Sequence, residues 1–161
     1  MVARPKPRVR GGLWRRMPPA VFSVILGLLG LGLAWRRGAS SFGLPTELAE
    51  MVLGAILLLA GFAVFAYLAK VAVRPGVVAE DMRTLPGRGG LAAGCMSVYA
   101  AANVMSAYSD GIGRAILFAG FALHIALIVV FLRLVLTSHG DLRRVSPVWH
   151  LIFVGPVVGA V

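Results

Sequence analysis

The chain has 161 residues, 59% of them hydrophobic and 14% charged, with a net charge of +10. An ordinary soluble domain is about 25% charged and buries only roughly 70% of its chain surface, so a water-soluble globule is excluded. The hydrophobicity excludes disorder, and Cys95, the single cysteine, excludes a disulfide framework.

What remains is an all-α polytopic membrane protein with about five transmembrane helices. Residues 1–16 form a basic arm with six Lys/Arg and no acid. Its prolines and glycines argue against regular structure. The first apolar run, residues 17–35, would be about 28 Å long as a helix, enough to cross a hydrocarbon core. Pro18 and Pro19 fall in its first turn, where a missing N–H costs little. The run is too long for a signal peptide, and no small-residue cleavage pattern precedes Arg36 and Arg37, so it reads as a retained span.

The second run covers residues 48–69, with Glu47 and Glu50 at its start and Lys70 at its end, as the helix dipole favours. Residues 70–90 then read as a polar linker punctuated by Pro75, Gly76, Pro86, Gly87, Gly89 and Gly90. The third run is 91–109. A turn over 110–114 leads to the fourth, 115–132. After a polar loop at 139–146, a fifth run occupies 147–161 and is incomplete at 15 residues, short of a full crossing. The chain therefore reads as the front part of something longer, or as a truncated one.

Charge sets the expected orientation. The arm, the 70–90 linker and the 133–146 loop carry thirteen Lys/Arg, against three in the alternate segments (Arg36, Arg37 and Arg114). The N-terminus is expected in the cytoplasm, with the protein in the plasma (inner) membrane. The basic residues sit where topology and anionic headgroups account for them, so no nucleic-acid partner is expected.

All six acids lie in loops or at span edges, which argues against a proton-coupled exporter with a buried carboxylate relay. No clustered His, Asp, Glu, Ser or Cys constellation suggests an enzyme, a cofactor or a metal site. The third run is rich in alanine and glycine and carries Ser97, Tyr99, Asn103, Ser106 and Tyr108. It reads as an interior helix, either packed with satisfied hydroxyls or lining a polar path. On the first run, Ser23 and Gly27 lie four apart and leave one face nearly bare: a packing notch or a wide spot in a pore. His124 reads as a packed, hydrogen-bonded histidine. In the fifth run, Pro156 after Gly155 removes a backbone donor and is expected to kink or break the helix. Exposed helix ends at membrane depth can favour anions without a fixed charge.

Several stretches carry a resemblance. Pro19 through Arg36, with Phe22–Leu28 and Trp35 as its diagnostic positions, resembles the first helix of the tellurite-resistance/C4-dicarboxylate transporter (TDT) family. That family includes TehA and the plant slow anion channels. Tyr67–Lys70, the acid-to-proline stretch Glu80–Pro86, and Ser146–Trp149 followed by Val154-Gly155 are similar to later family segments. The chain departs from the family at Ser23, where glycine is common, and at Ile152, where proline is common. The resemblance implies a ten-helix fold in which odd-numbered helices enclose a pore, here its N-terminal half only, and a homotrimer. It implies a channel or transporter moving small anions or dicarboxylates, tellurite among the family's associations. The candidate pore-lining residues are Ser23, Gly27, Asn103, Gly155 and Pro156. The alternative is a non-transporting membrane scaffold or an inactive fragment.

Overall fold

The computed structural model describes residues 17–137 and 146–159, and among them every regular element is helical. Helix α1 spans Val21–Ser41, α2 Glu47–Val73, α3 Val77–Met82, α4 Leu85–Ser106, α5 Asp110–Thr137 and α6 Val148–Val158. Helices α1, α2 and α5 are long and apolar enough to cross a membrane. Their outward faces carry bare hydrophobics such as Leu58, Phe65 and Phe118, a surface that water would not tolerate and lipid does.

The helix boundaries differ from the hydropathy reading in four places, each for a local reason. Helix α1 does not stop at Trp35 but continues through Arg36 and Arg37, ending near Gly43, whose φ of 65° only glycine adopts freely. The 70–90 segment is largely folded: α3 buries Val77 and Met82. Thr84 then caps α4, its Oγ1 accepting from the Gly87 N–H at 3.1 Å, with Pro86 in the first turn. Residues 110–114 are the first turn of α5, with an Asp110–Arg114 ion pair along the helix. Helix α6 stays helical through Pro156 to Val158 and is not broken there.

Helices α1 and α2 form one hairpin and α4 and α5 a second, with α6 laid against α4. Helix α4 is the hub, touching α1, α2, α3, α5 and α6. It is less apolar than α1, α2 or α5 and still the most buried, with Leu91, Ala92, Ala93, Gly94, Cys95 and Ser97 all enclosed. Small side chains explain this, because they let backbones approach where lipid provides no hydrophobic drive between helices. Gly90 lies against the Pro19 backbone, and a Cβ at Gly94 would sit 3.2 Å from the Phe22 ring. Ser97 Oγ donates to the Ala93 carbonyl at 2.8 Å and reaches the Phe22 carbonyl at 3.3 Å.

Polar contacts pin the hairpins at both ends. At one end the Lys70 ammonium donates to the Met17 carbonyl at 3.1 Å and to Asp81 at 3.2 Å, and the Tyr67 hydroxyl donates to the same carboxylate at 3.1 Å. At the other, Arg36 pairs with Glu50 at 2.5 Å, and Tyr108 donates to that same Glu50. The hydrogen bond to Glu50 holds the Tyr108 phenol above its ordinary pKa.

Gly90→Ala would push a methyl group into the Pro19 backbone, whereas Gly27 has open space where a Cβ would go. Gly90→Ala is expected to destabilise the protein in detergent by about 1–3 kcal/mol. Gly27→Ala is expected to be neutral or stabilising by up to about 1 kcal/mol. Melting curves that move equally for the two would contradict the α1–α4 contact.

Candidate functional site

Helices α1 and α6 each pack against α4, with α2 packed on α1 and α5 packed on both α4 and α6. On α1 the residues Ser23, Gly27, Gly30, Ala34 and Arg37 follow one another at alternating steps of four and three, which places them on one face. The upper part of that face opens into a cavity of 630 Å³. Gly30, Ala34 and Arg37 line it from α1, Tyr99, Asn103 and Ser106 from α4, Gly113 and Arg114 from α5, and Val158 and Gly159 from the end of α6.

Of the five residues singled out in the sequence, Asn103 lies in the cavity wall. Gly27 and Ser23 are exposed on the same face of α1, about one and two turns from Gly30 toward the N-terminus. Gly155 is buried and faces His124, and Pro156 is half-buried beside it. One turn on, Gly159 occupies the wall instead. The sequence reading passed over Arg37 and Arg114 as wall residues, whereas Tyr99 and Ser106 were among the polar residues that marked the third run as one that could line a path. Arg37 was legible only as the continuation of the Ser23 stripe, and that requires knowing that α1 runs past Trp35.

The wall is mostly neutral. Ser106 Oγ donates to the Ala102 carbonyl at 2.8 Å, so that hydroxyl is satisfied within its own helix. The Asn103 amide has no hydrogen-bond partner among the described residues and faces the cavity with its capacity unspent. Charge enters at one mouth only. Arg114 is paired with Asp110, and Arg37 makes no ion pair among the described residues. Neither Asp nor Glu lines the cavity. The adjacent Arg36 points elsewhere, into the seam with Glu50.

At the far end of α4 a second group of donors is left over. Arg88 is 4% exposed, and its Nε and Nη1 have no partner among the described residues. At the next residue, Gly89, a Cβ would sit 3.8 Å from Val148, so this turn of α4 meets the start of α6. There Ser146 Oγ and Trp149 Nε1 are also buried and unpartnered among the described residues. A guanidinium out of water is costly without a counter-charge, and an anion, a carboxylate or water relieves that cost.

A second cavity, of 190 Å³, lies on the opposite side of α4 between α2 and α5. Apolar side chains including Val64, Leu68, Val98, Leu123 and Leu127 line it, with the Tyr67 ring. It has the character of a lipid-facing slot rather than a path for ions.

The family model for the voltage-dependent anion channel matches residues 16–161 of the chain. No curated protein and no solved structure matches it.

If the larger cavity is a water-filled groove, its residues are open to charged thiol reagents. In a Cys95→Ala background, Asn103→Cys is expected to react with a charged methanethiosulfonate in liposomes, while Leu58→Cys on the lipid face of α2 does not. Equal protection of both cysteines would rule out an aqueous groove.

Proposed function

The chain belongs to the voltage-dependent anion channel family, and we propose that it moves small anions along the groove that α1, α4 and α6 line. The carrying observation is the makeup of the larger cavity: at one mouth Arg37, which has no ion pair among the described residues, beside Arg114, which is paired with Asp110; the Asn103 amide, without a partner among the described residues; and no carboxylate in the wall. A groove with one sign of charge and low-dielectric sides concentrates the opposite ion. Past the mouth, the anion meets neutral helix faces, where oriented dipoles and polar side chains replace part of its hydration without holding it tightly. Weak binding is what conduction requires, because an ion that binds strongly does not leave. No bond is made or broken in this mechanism.

The distribution of cationic residues supports an orientation with the N-terminus in the cytoplasm of the cell and the protein in the plasma membrane. The Arg37 mouth is then external and the buried Arg88 lies at the cytoplasmic end. An anion leaving the groove there passes the Arg88 guanidinium, whose Nε and Nη1 have no partner among the described residues, and the Ser146 and Trp149 donors. Dicarboxylates and tellurite oxyanions belong to the same class of solute, and the arrangement supports them only as members of that class. A trimer of pores is the assembly that the family resemblance suggests.

Proteoliposomes holding the full chain are expected to release nitrate and chloride faster than empty vesicles, with sodium retained. Arg37→Glu is expected to reduce nitrate flux by roughly tenfold at low ionic strength, by loss of electrostatic concentration. The difference should shrink in 1 M salt, where screening acts within about 3 Å. Arg37→Lys should keep most of the flux. Vesicles that leak no anion while the protein is folded would refute the proposal.

A further inference from the structure

Helix α6 carries Pro156, and proline has no N–H to give. In a regular helix the N–H at position 156 bonds to the carbonyl four residues earlier, which is that of Ile152. That oxygen is therefore without its intrahelical donor, in an apolar segment where a bare carbonyl is costly. His124, on α5, places its Nε2 2.9 Å from the same oxygen. A carbonyl can only accept, so Nε2 carries the hydrogen and donates it. In the neutral ring Nδ1 is then bare, and it is buried without a partner among the described residues.

The surroundings are shaped to this ring. His124 is fully enclosed. Gly155 stands beside Pro156, and a Cβ there would collide with the imidazole Cε1. On α4, the Tyr99 ring stacks on His124 at 5.8 Å with an interplanar angle of 8°. Tyr99 in turn lines the larger cavity and meets Gly159, where a Cβ would sit 3.1 Å from its ring.

We infer that His124 is a positioning residue that supplies α6 with the donor Pro156 lacks, and so holds the Gly155–Gly159 stretch and the Tyr99 ring in place as one wall of the groove. Its effect on flux rests on the permeation reading; the hydrogen bond itself does not.

A double-mutant cycle separates this role from simple packing. His124→Leu, Pro156→Ala and the pair are compared with the unaltered chain, by melting in detergent and by nitrate efflux from proteoliposomes. His124→Leu is expected to lower the melting midpoint by about 2–4 °C, the scale of one buried hydrogen bond in a chain of this size, and to slow nitrate efflux. In the Pro156→Ala background the restored N–H reaches Ile152, so the same substitution should shift the midpoint less than half as far. His124→Asn, whose amide can donate, should recover part of the loss. An equal shift in both backgrounds would overturn the inference, because a ring that only fills space is indifferent to the donor at position 156. Should His124→Leu fail to fold, nitrogen NMR of His139→Gln/His150→Gln, which leaves one histidine, decides the matter. A hydrogen-bonded Nε2–H supports the role, and a ring protonated at Nδ1 alone overturns it. Melting coupling in a protein that passes no nitrate would sink the permeation reading and leave this one standing.

Discussion

Helices in a lipid environment gain little by turning apolar side chains toward each other, since the acyl chains are equally apolar. What holds them is close contact between backbones, and this chain concentrates that contact on α4. Gly90 against Pro19 and Gly94 against Phe22 bring α1 in, and Gly120 of α5 sits where a Cβ would be 2.9 Å from Tyr99. The depth at which α4 lies between the hairpins decides where Tyr99, Asn103 and Ser106 emerge. The larger cavity is thus a by-product of how closely small residues let three helices approach.

The electrostatic design follows from the same economy. Fixed charge is kept to the ends of the helices, and the middle of the groove has only dipoles and one free amide. Charges at membrane depth would need partners, and partners would cancel the field they create. Arg37 and Arg88 escape this by lying near the ends of α1 and α4, one exposed and one buried. On the permeation reading proposed above, the solute that suits such a groove is negative, small and loosely held.

Hydropathy made α1, α2 and α5 legible, because lipid-facing helices must be apolar along most of their length. It placed most of α4, and the small residues of that run marked an interior helix, but it missed the first turns, since residues 85–90 are not an apolar run. The glycines and prolines of 84–90 read as a linker because each is a turn residue in isolation. In context Pro86 opens a helix and Gly87 and Gly90 are points of contact. Asn103 was legible as a polar atom out of place. Arg37 was not, because a charge after an apolar run reads as the end of a span. The tie between His124 and Pro156 could not be read either: the gap at Ile152 follows from local sequence, but its donor lies 28 residues away on another helix.

Arg36 and Arg37 are neighbours in the chain with different tasks. Successive residues of a helix point about 100° apart, so one guanidinium faces Glu50 and the other faces the groove. Glu50 consequently does two things at once. It fastens the first hairpin to the turn at Tyr108, and it absorbs a positive charge that would otherwise add to the field at the mouth. A change at position 50 is felt twice, as a looser seam between hairpins and, on the permeation reading proposed above, as a stronger pull on an anion at the Arg37 mouth.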